Sequence, residues 1–320
     1  MKILITGAAG FIGYSLSHHI SNKQKKSKIL GIDNIDNYYS TKLKRNRIKN
    51  IRDKNFYFSK IDICNLNKLE KIFKRFNPDV VIHLAAQAGV RYSIDKPRKY
   101  INSNILGYFN ILEMCRNFKV KKIIYASSSS VYGDSKNFPL EENDKINPKN
   151  VYALSKKFDE ELSSVYSNLY NLKIVGLRLF TVYGEWGRPD MFIFKYLRSA
   201  LLKKVFYLNN YGNHSRDFTY IGDVVKIISK LISIKQKRMH EIFNVCSGKS
   251  IKLMNIIKII NKYVSVPLII KKPFQKADVI KTHGNNKKIL SHVHFKKFTN
   301  IHIGLEKTID WYLCNINNFK

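Results

Sequence analysis

The 320-residue sequence predicts an α/β fold, a doubly wound parallel sheet followed by a smaller C-terminal substrate-binding domain. Three observations carry that prediction. Apolar runs of strand length alternate with helix-like stretches as far as about residue 180. The first run, Lys2-Ile-Leu-Ile-Thr6, stops at a glycine-rich turn and passes into an amphipathic stretch. Beyond Gly184 the alternation loosens into short mixed elements, as a lid would. We therefore expect residues 1–180 to form the sheet domain and 181–320 the second domain, with segments around 215–250 returning to the first.

The glycine turn reads Gly7-Ala-Ala-Gly10-Phe11-Ile12-Gly13. A strand, a tight glycine turn and a helix start let the backbone approach a pyrophosphate whose charge sits at the helix N-terminus. The spacing is G-x-x-G-x-x-G, not the commoner G-x-G-x-x-G. The next strand, Lys28 to Ile32, ends in Asp33, followed by Asn34. An acid about 20 residues beyond the glycines would hold both ribose hydroxyls and repel a 2′-phosphate, which favours NAD over NADP.

Phe56-Tyr-Phe58 leads to Asp62 and Ile63, an acid placed to meet an adenine edge. Val80 to Leu84 is a buried-looking strand that runs into Ala85-Ala86-Gln87, small residues at the carboxyl edge where ligands bind in open α/β sheets. Within that run His83 reads as a core histidine. Ile101 to Cys115 is helix-like and carries Asn104 among apolar residues. Lys122 to Ala126 is a strand ending in Ser127 to Ser130.

After Pro148 a helix would place Tyr152 and Lys156 one turn apart on one face. A phenol beside an ammonium is a proton-transfer device. Free tyrosine titrates near pH ~10, so a base near neutrality needs roughly 3 units of depression, about 4 kcal/mol in favour of phenolate. A neighbouring lysine and a cationic nicotinamide could supply it.

Composition narrows the class. Apolar residues make up 44%, and no run reaches the eighteen or so of a membrane span. Cys64, Cys115, Cys246 and Cys314 are far apart and lack metal-ligand spacing, so no metal is expected, and reduced thiols suit a reducing compartment. With no leader-like start, the reading is cytoplasmic, with no membrane partner. The formal charge of +34 comes from scattered lysine clusters, including Lys42 to Lys49, which read as solvated surface with a general attraction for anionic ligands.

The runs GAAGFIG, Asp33, HLAAQ, SSSSVYG, Tyr152-x-x-x-Lys156 and RDFTYI resemble, in order and spacing, the extended short-chain dehydrogenase/reductase family, over nearly the whole chain. Within that family AAQAGVRYS, YASSSSVYG, LFTVYG and GRPDMFIF look most like the UDP-glucuronate 4-epimerases. The resemblance implies a Rossmann fold and retained NAD, contacted through the glycine turn, Asp33, Asn34, Asp62, Ile63, Leu84 to Gln87, Asn104, Ser127, Tyr152, Lys156 and Phe180. Tyr152 would take the proton of the sugar C4 hydroxyl as hydride leaves C4, Lys156 would bond the nicotinamide ribose, and Ser128 would bond O4. A 4-keto intermediate would turn over in the site and be reduced on its other face.

Dehydratases and decarboxylases of this type carry an acid just before Val-Tyr-Gly, where this chain has Ser129 and Ser130. Without that acid, elimination lacks its general acid/base pair. Thr181 and Arg188 are candidates to clamp the sugar carboxylate, Arg188 in bidentate fashion, with Arg91 as an alternative. Arg216 matches the arginine that meets the UDP phosphates. Asp278 falls in a run resembling the uridine loop, although Lys276-Ala277 replaces Pro-Gly and His283-Gly284 replaces an aromatic and a small residue. Gly222 replaces a commoner acid and reads as a neutral surface change. Relatives commonly pair through two helices, so a homodimer is expected. Two alternatives stay open: 4-epimerisation of neutral UDP-hexoses or UDP-N-acetylhexosamines, and a catalytically silent RNA-binding member, although no nucleic-acid partner is expected.

Overall fold

The computed structural model describes residues 1–236, 238–275 and 278–316. Lys276 and Ala277 of the uridine-like run lie outside the described residues.

The chain begins with β1 (Lys2–Thr6), α1 (Phe11–Lys23), β2 (Lys28–Asp33), α2 (Thr41–Asn50), β3 (Phe56–Lys60), α3 (Leu66–Phe76) and β4 (Val80–His83). Two short helices follow, α4 (Tyr92–Asp95) and α5 (Pro97–Tyr100), then a π-helical turn over Ile101–Leu106 and α6 (Gly107–Asn117). Next come β5 (Lys122–Ser128), α7 (Val151–Tyr170), β6 (Ile174–Leu179), β7 (Thr181–Tyr183), α8 (Phe192–Leu201), β8 (Phe206–Asn209) and β9 (Ser215–Tyr220). The last elements are α9 (Ile221–Ser233), β10 (His240–Val245), β11 (Ser250–Lys252), α10 (Leu253–Ile260), β12 (Ile269–Lys272), α11 (Lys287–His292) and α12 (Ile301–Cys314).

Seven strands form one sheet in the order β10-β6-β5-β4-β1-β2-β3, all parallel. This is the predicted doubly wound fold. In the central strand β1, Ile3 and Ile5 enter the core beneath α1 and α9, whereas Leu4 enters the core beneath α3 and α6. Strands buried on both faces need such continuous apolar runs. Strand order reverses between β1 and β4, which opens a crevice at their carboxyl ends.

Small sheets β11-β9-β7 and β12-β8 pack with α8, α10 and α12 around Tyr196, Leu197, Phe206, Ile256 and Leu305. The helix anticipated over Ile101–Cys115 opens as a π turn, with Asn104 turned inward and Gly107 admitting the Ile63 side chain. A Cβ on Gly222 would fall 2.6 Å from the Tyr220 ring, so this position is not the neutral surface change expected.

Helix α7 is built inside out. Its buried face carries Ser155, Lys156, Asp159, Glu160, Ser163 and Ser167, while Leu154, Phe158, Val165 and Leu169 face outward. Asn150 caps it by accepting from the Ala153 N–H, and Asn171 ends it in the left-handed region. The inward polar face is tolerated because it is bonded. Arg178 of β6 donates from Nε and Nη2 to the two Glu160 oxygens at 2.9 and 2.8 Å, and Ser127 donates to Glu160 Oε1. Both members of this ion pair are only 4% exposed, so neither charge has water to fall back on. Removing one member of a buried pair costs about 3–5 kcal/mol. We expect Glu160→Ala to lose about that much in denaturant unfolding, and Glu160→Gln with Arg178→Met to recover part of it.

Candidate active site

Each turn at the sheet's carboxyl edge has a steric reason. Gly7 has φ +69°, and a Cβ there would sit 2.7 Å from the Leu84 carbonyl oxygen. A Cβ on Gly13 would lie 2.1 Å from the Gly7 carbonyl, so only glycine lets α1 close onto the turn. Asp33 steadies the turn, accepting from Ala9 N at 3.0 Å and Ile35 N at 2.7 Å. Burial raises its carboxyl above the usual range, although Lys44 and these backbone bonds oppose the rise. Asn34 donates to Asp62 at 2.9 Å. Burial alone would raise the Asp62 carboxyl, but bonds from Asn34 and the Cys64 amide outweigh it and leave it lowered.

Thr6 Oγ1 accepts from Leu84 N and Ala85 N at 3.2 and 3.1 Å and lies 2.9 Å from His83 Nδ1. His83 is a core residue, but its Nε2 is buried with no hydrogen-bond partner among the described residues. Burial, and then the Lys156 charge, push it well below the usual histidine range. Asn104 accepts from Gln87 N at 2.8 Å and donates to Gln87 O and Ser155 Oγ. Its polar atoms thus brace the loop after β4.

At the end of β5, Ser128 Oγ accepts from Ser130 N and donates to Ser130 Oγ, both at 3.1 Å. Tyr152 packs edge-on against Tyr100, their ring centroids 6.3 Å apart. Lys156 is buried and donates to Asp159 at 3.0 Å.

A cavity of about 340 Å³ joins these groups. Of the residues singled out in the sequence, Gly7, Gly10, Phe11, Ile12, Gly13, Asp33, Asn34, Asp62, Ile63, Leu84, Ala85, Ala86 and Gln87 line its cofactor side. Ser127, Ser128, Ser129, Tyr152, Lys156, Phe180, Thr181 and Arg188 line the rest. Asn104, Arg91, Arg216 and Asp278 do not line it. The last three gather elsewhere. Arg91 donates to Asp278 at 2.6 Å, and the Asn209 amide oxygen, oriented toward Arg91, accepts from both its Nη atoms. Arg216 donates to the Ser215 and Ile280 carbonyls, and burial brings it down to about 10 against the pull of Asp278.

The bidentate fork expected of Arg188 is already filled. Its Nε and Nη2 donate to Asp190 at 2.9 and 2.5 Å, and Tyr38 donates to the same carboxylate at 2.9 Å. The guanidinium also stands over the Tyr38 ring, its Cζ 5.8 Å from the ring centroid.

Several residues were missed in the sequence. Asp36, Tyr38, Tyr39, Lys44 and Met191 also line the cavity. Lys44 and Arg47, read as part of a solvated lysine cluster, are buried. Arg47 Nη1 donates to Ala9 O at 3.0 Å, and Nη2 to Trp186 O and Gly187 O at 2.6 and 3.1 Å. The available signal was Leu43, four residues before Arg47 and wholly buried on the same helical face.

The glycine cradle, where any side chain would clash, fits a dinucleotide pyrophosphate, and Asp33 and Asp62 stand where its adenosine end would lie. Together with a phenol, an ammonium and a serine at the cavity's other end, these features define a dinucleotide-dependent enzyme that oxidises and reduces a hydroxyl-bearing carbon. Residues 3–246 match the NAD dependent epimerase/dehydratase family. Protein CapI of Staphylococcus aureus is 41% identical over 98% of each chain. A UDP-glucuronate 4-epimerase of Thermodesulfobacterium geofontis is 38% identical over 99% of this chain and 98% of its own. The crystal structure of a UDP-glucuronic acid 4-epimerase from Bacillus cereus, in complex with UDP-glucuronic acid and NAD, superposes with a TM-score of 0.92 at 30% identity, covering 98% of this chain and 99% of that one. The chain belongs to the NAD dependent epimerase/dehydratase family.

Gly13→Ala tests the cradle. It should weaken NAD binding at least about tenfold in calorimetric titration, since a shift of a few tenths of an ångström cannot relieve a 2.1 Å contact.

Proposed function

We propose that this chain is an NAD-dependent 4-epimerase that converts UDP-glucuronate to UDP-galacturonate. The observation that carries it is the distribution of charge in the cavity. Its lining carboxylates, Asp33, Asp36 and Asp62, belong to the glycine-turn side, while Ser128, Ser129, Ser130, Thr181 and Arg188 supply hydroxyls and a cation elsewhere. A sugar acid fits that arrangement, and elimination has no carboxylate to serve it.

When bound, NAD supplies reversible acceptance of hydride from the sugar C4. The chain's residues do the rest. Tyr152 takes the C4 hydroxyl proton and gives it back, Lys156 stabilises the phenolate and bonds the nicotinamide ribose, and Ser128 orients O4. The sugar carboxylate is held by Thr181, the serine hydroxyls and the charge of Arg188, out of the orientation in which a β-keto acid loses CO₂. Arg216, Arg91 and Asp278, which gather outside the cavity lining, receive the nucleotide in this reading. No net redox change occurs, so turnover needs no added NADH.

Incubation with UDP-glucuronate should give UDP-galacturonate by NMR without NADH. A decarboxylated pentose as main product would overturn the reading. Tyr152→Phe should lose roughly 10² to 10⁴ in kcat, the usual worth of a positioned proton acceptor. Arg188→Ala should lower kcat/KM for UDP-glucuronate about tenfold to a hundredfold, as expected for one charged hydrogen bond, and spare any turnover of UDP-glucose.

The outward apolar stripe of α7, with Phe109 of α6 beside it, supports pairing of two copies through these helices. Leu169 is 67% exposed, an uncommon position for leucine in such a stripe. Leu169→Glu with Val165→Glu should move the protein to monomer mass in light scattering. Among the described residues no helix is long and apolar enough to cross a membrane. The four unpaired thiols support a cytoplasmic setting.

A further inference from the structure

The polar face of α7 holds one carboxylate to which the proposed reaction gives no task. Asp159 is wholly buried, accepts from Lys156 Nζ at 3.0 Å through Oδ2, and leaves Oδ1 without a hydrogen-bond partner among the described residues. A buried carboxylate oxygen with nothing to accept from is expensive, and a purely structural acid in such a place would be fully bonded. Among the described residues its only side-chain bond goes to the ammonium that has to serve both the ribose and the phenol.

The groups facing this carboxylate can be named from every side. On its own helix stand Lys156 and Glu160, the latter committed to Arg178 of β6. From α6 comes Tyr108, whose hydroxyl is paired with Ser163, and from β5 comes Tyr125, whose hydroxyl reaches His240 of β10. From β4, on the far side of Lys156, is His83, which feels the Lys156 charge and which burial holds neutral. Among the described residues Lys156 is thus the only cation within hydrogen-bond reach of Asp159, and no other carboxylate is ion-paired with Lys156.

We propose that Asp159 is a positioning residue for the epimerisation, fixing both the place and the effective charge of the Lys156 ammonium so that Tyr152, Lys156 and Asp159 act as one unit. The inference rests on the proposed roles of Tyr152 and Lys156. An ionised Asp159 keeps the ammonium protonated in a dry interior and dilutes the field it exerts on the phenol. A protonated Asp159 lets that field act in full. Burial pushes the Asp159 carboxyl up to about 7 even against Lys156, so the change falls in the neutral range. Asp159 exchanges no proton with the sugar. The proton leaving the C4 hydroxyl goes to Tyr152 and returns from it, and the hydride leaves C4 and returns, so atoms and electrons balance without a further reactant.

Asp159→Asn keeps the size and an oxygen for Lys156 Nζ but removes the charge. The alkaline limb of the kcat–pH profile should move to lower pH by roughly one to three units, the usual effect of a close buried charge. The alkaline limb falls because the ammonium has lost its counter-charge, whereas the acid limb stays close to its place because Asp159 is already protonated there. Uniformly lower activity with both limbs unmoved would mean a structural role only and would overturn the proposal. Infrared difference spectra of the intact protein with ¹³C-labelled aspartate provide a second readout. A buried protonated-carboxyl band should fade as pH rises through neutrality, and its absence would overturn the proposal even if the variant fails to fold. That readout needs no substrate, so a protein without epimerase activity would remove the reading of function and leave the titration of Asp159 to be judged by itself.

Discussion

The structure depends on a single unusual constraint, that α7 turns its polar side to the sheet. A helix of an α/β protein normally buries an apolar stripe, yet here positions 155, 156, 159, 160, 163 and 167 are all polar and all buried. Such a face is tolerable only when each group meets a partner, because an unpaired charge in the interior would outweigh the hydrophobic gain of neighbouring contacts. Arg178 of β6 answers Glu160, Asn104 from the π turn answers Ser155, and Tyr108 of α6 answers Ser163. The helix is therefore located by directional bonds, which fix its rotation and rise more closely than apolar packing does. That is what places Tyr152 and Lys156 against the cavity, one turn apart on the same side.

The same bonding reaches outward into the loops. Asn104 fixes the Gln87 backbone, and Ser127, bonded to Glu160, fixes the end of β5. Arg47 extends the pattern to the other lobe, since one guanidinium holds the glycine turn through Ala9 and the loop before Arg188 through Trp186 and Gly187. Tyr38 then bonds Asp190, and Asp190 holds Arg188. The loop that carries Arg188 is thus joined to the glycine turn through Arg47 of α2 and to the loop after β2 through Tyr38, both times through buried or half-buried polar groups. A movement at either end would have to break charge-assisted bonds at the other.

Much of this was legible in the sequence because it is local. The glycine spacing, Asp33 at the end of its strand, the serine cluster and the Tyr152/Lys156 pair each follow from chain neighbours and strand or helix periodicity. What was hidden depends on partners distant in sequence. Nothing near Arg47 announces that it will meet residues 186 and 187, and lysine-rich composition disguised Lys44 and Arg47 as surface. Arg188 looked free for a bidentate contact because sequence spacing does not reveal that Asp190, two residues on, folds back onto it. The polar stripe of α7 was readable at helical spacing, but an amphipathic pattern does not say which side faces inward, and the usual assumption would have reversed it.

That reversal also decides which side of the helix meets solvent. A helix whose polar side is committed to the active site has only its apolar side left to show solvent, so Leu154, Phe158, Val165 and Leu169 are exposed as a consequence of where Lys156, Asp159 and Glu160 must be. Covering that stripe with a second copy would remove apolar area from water without disturbing any bond that holds the catalytic face. Turning the helix to bury the stripe within one chain would instead carry Lys156 away from the cavity and leave Arg178 buried without Glu160. The cost of that rotation, a buried unpaired guanidinium, is larger than the gain from any one of the leucines. The exposed stripe is therefore the cheaper of the two arrangements for a helix that has to present a lysine and a tyrosine to the same side.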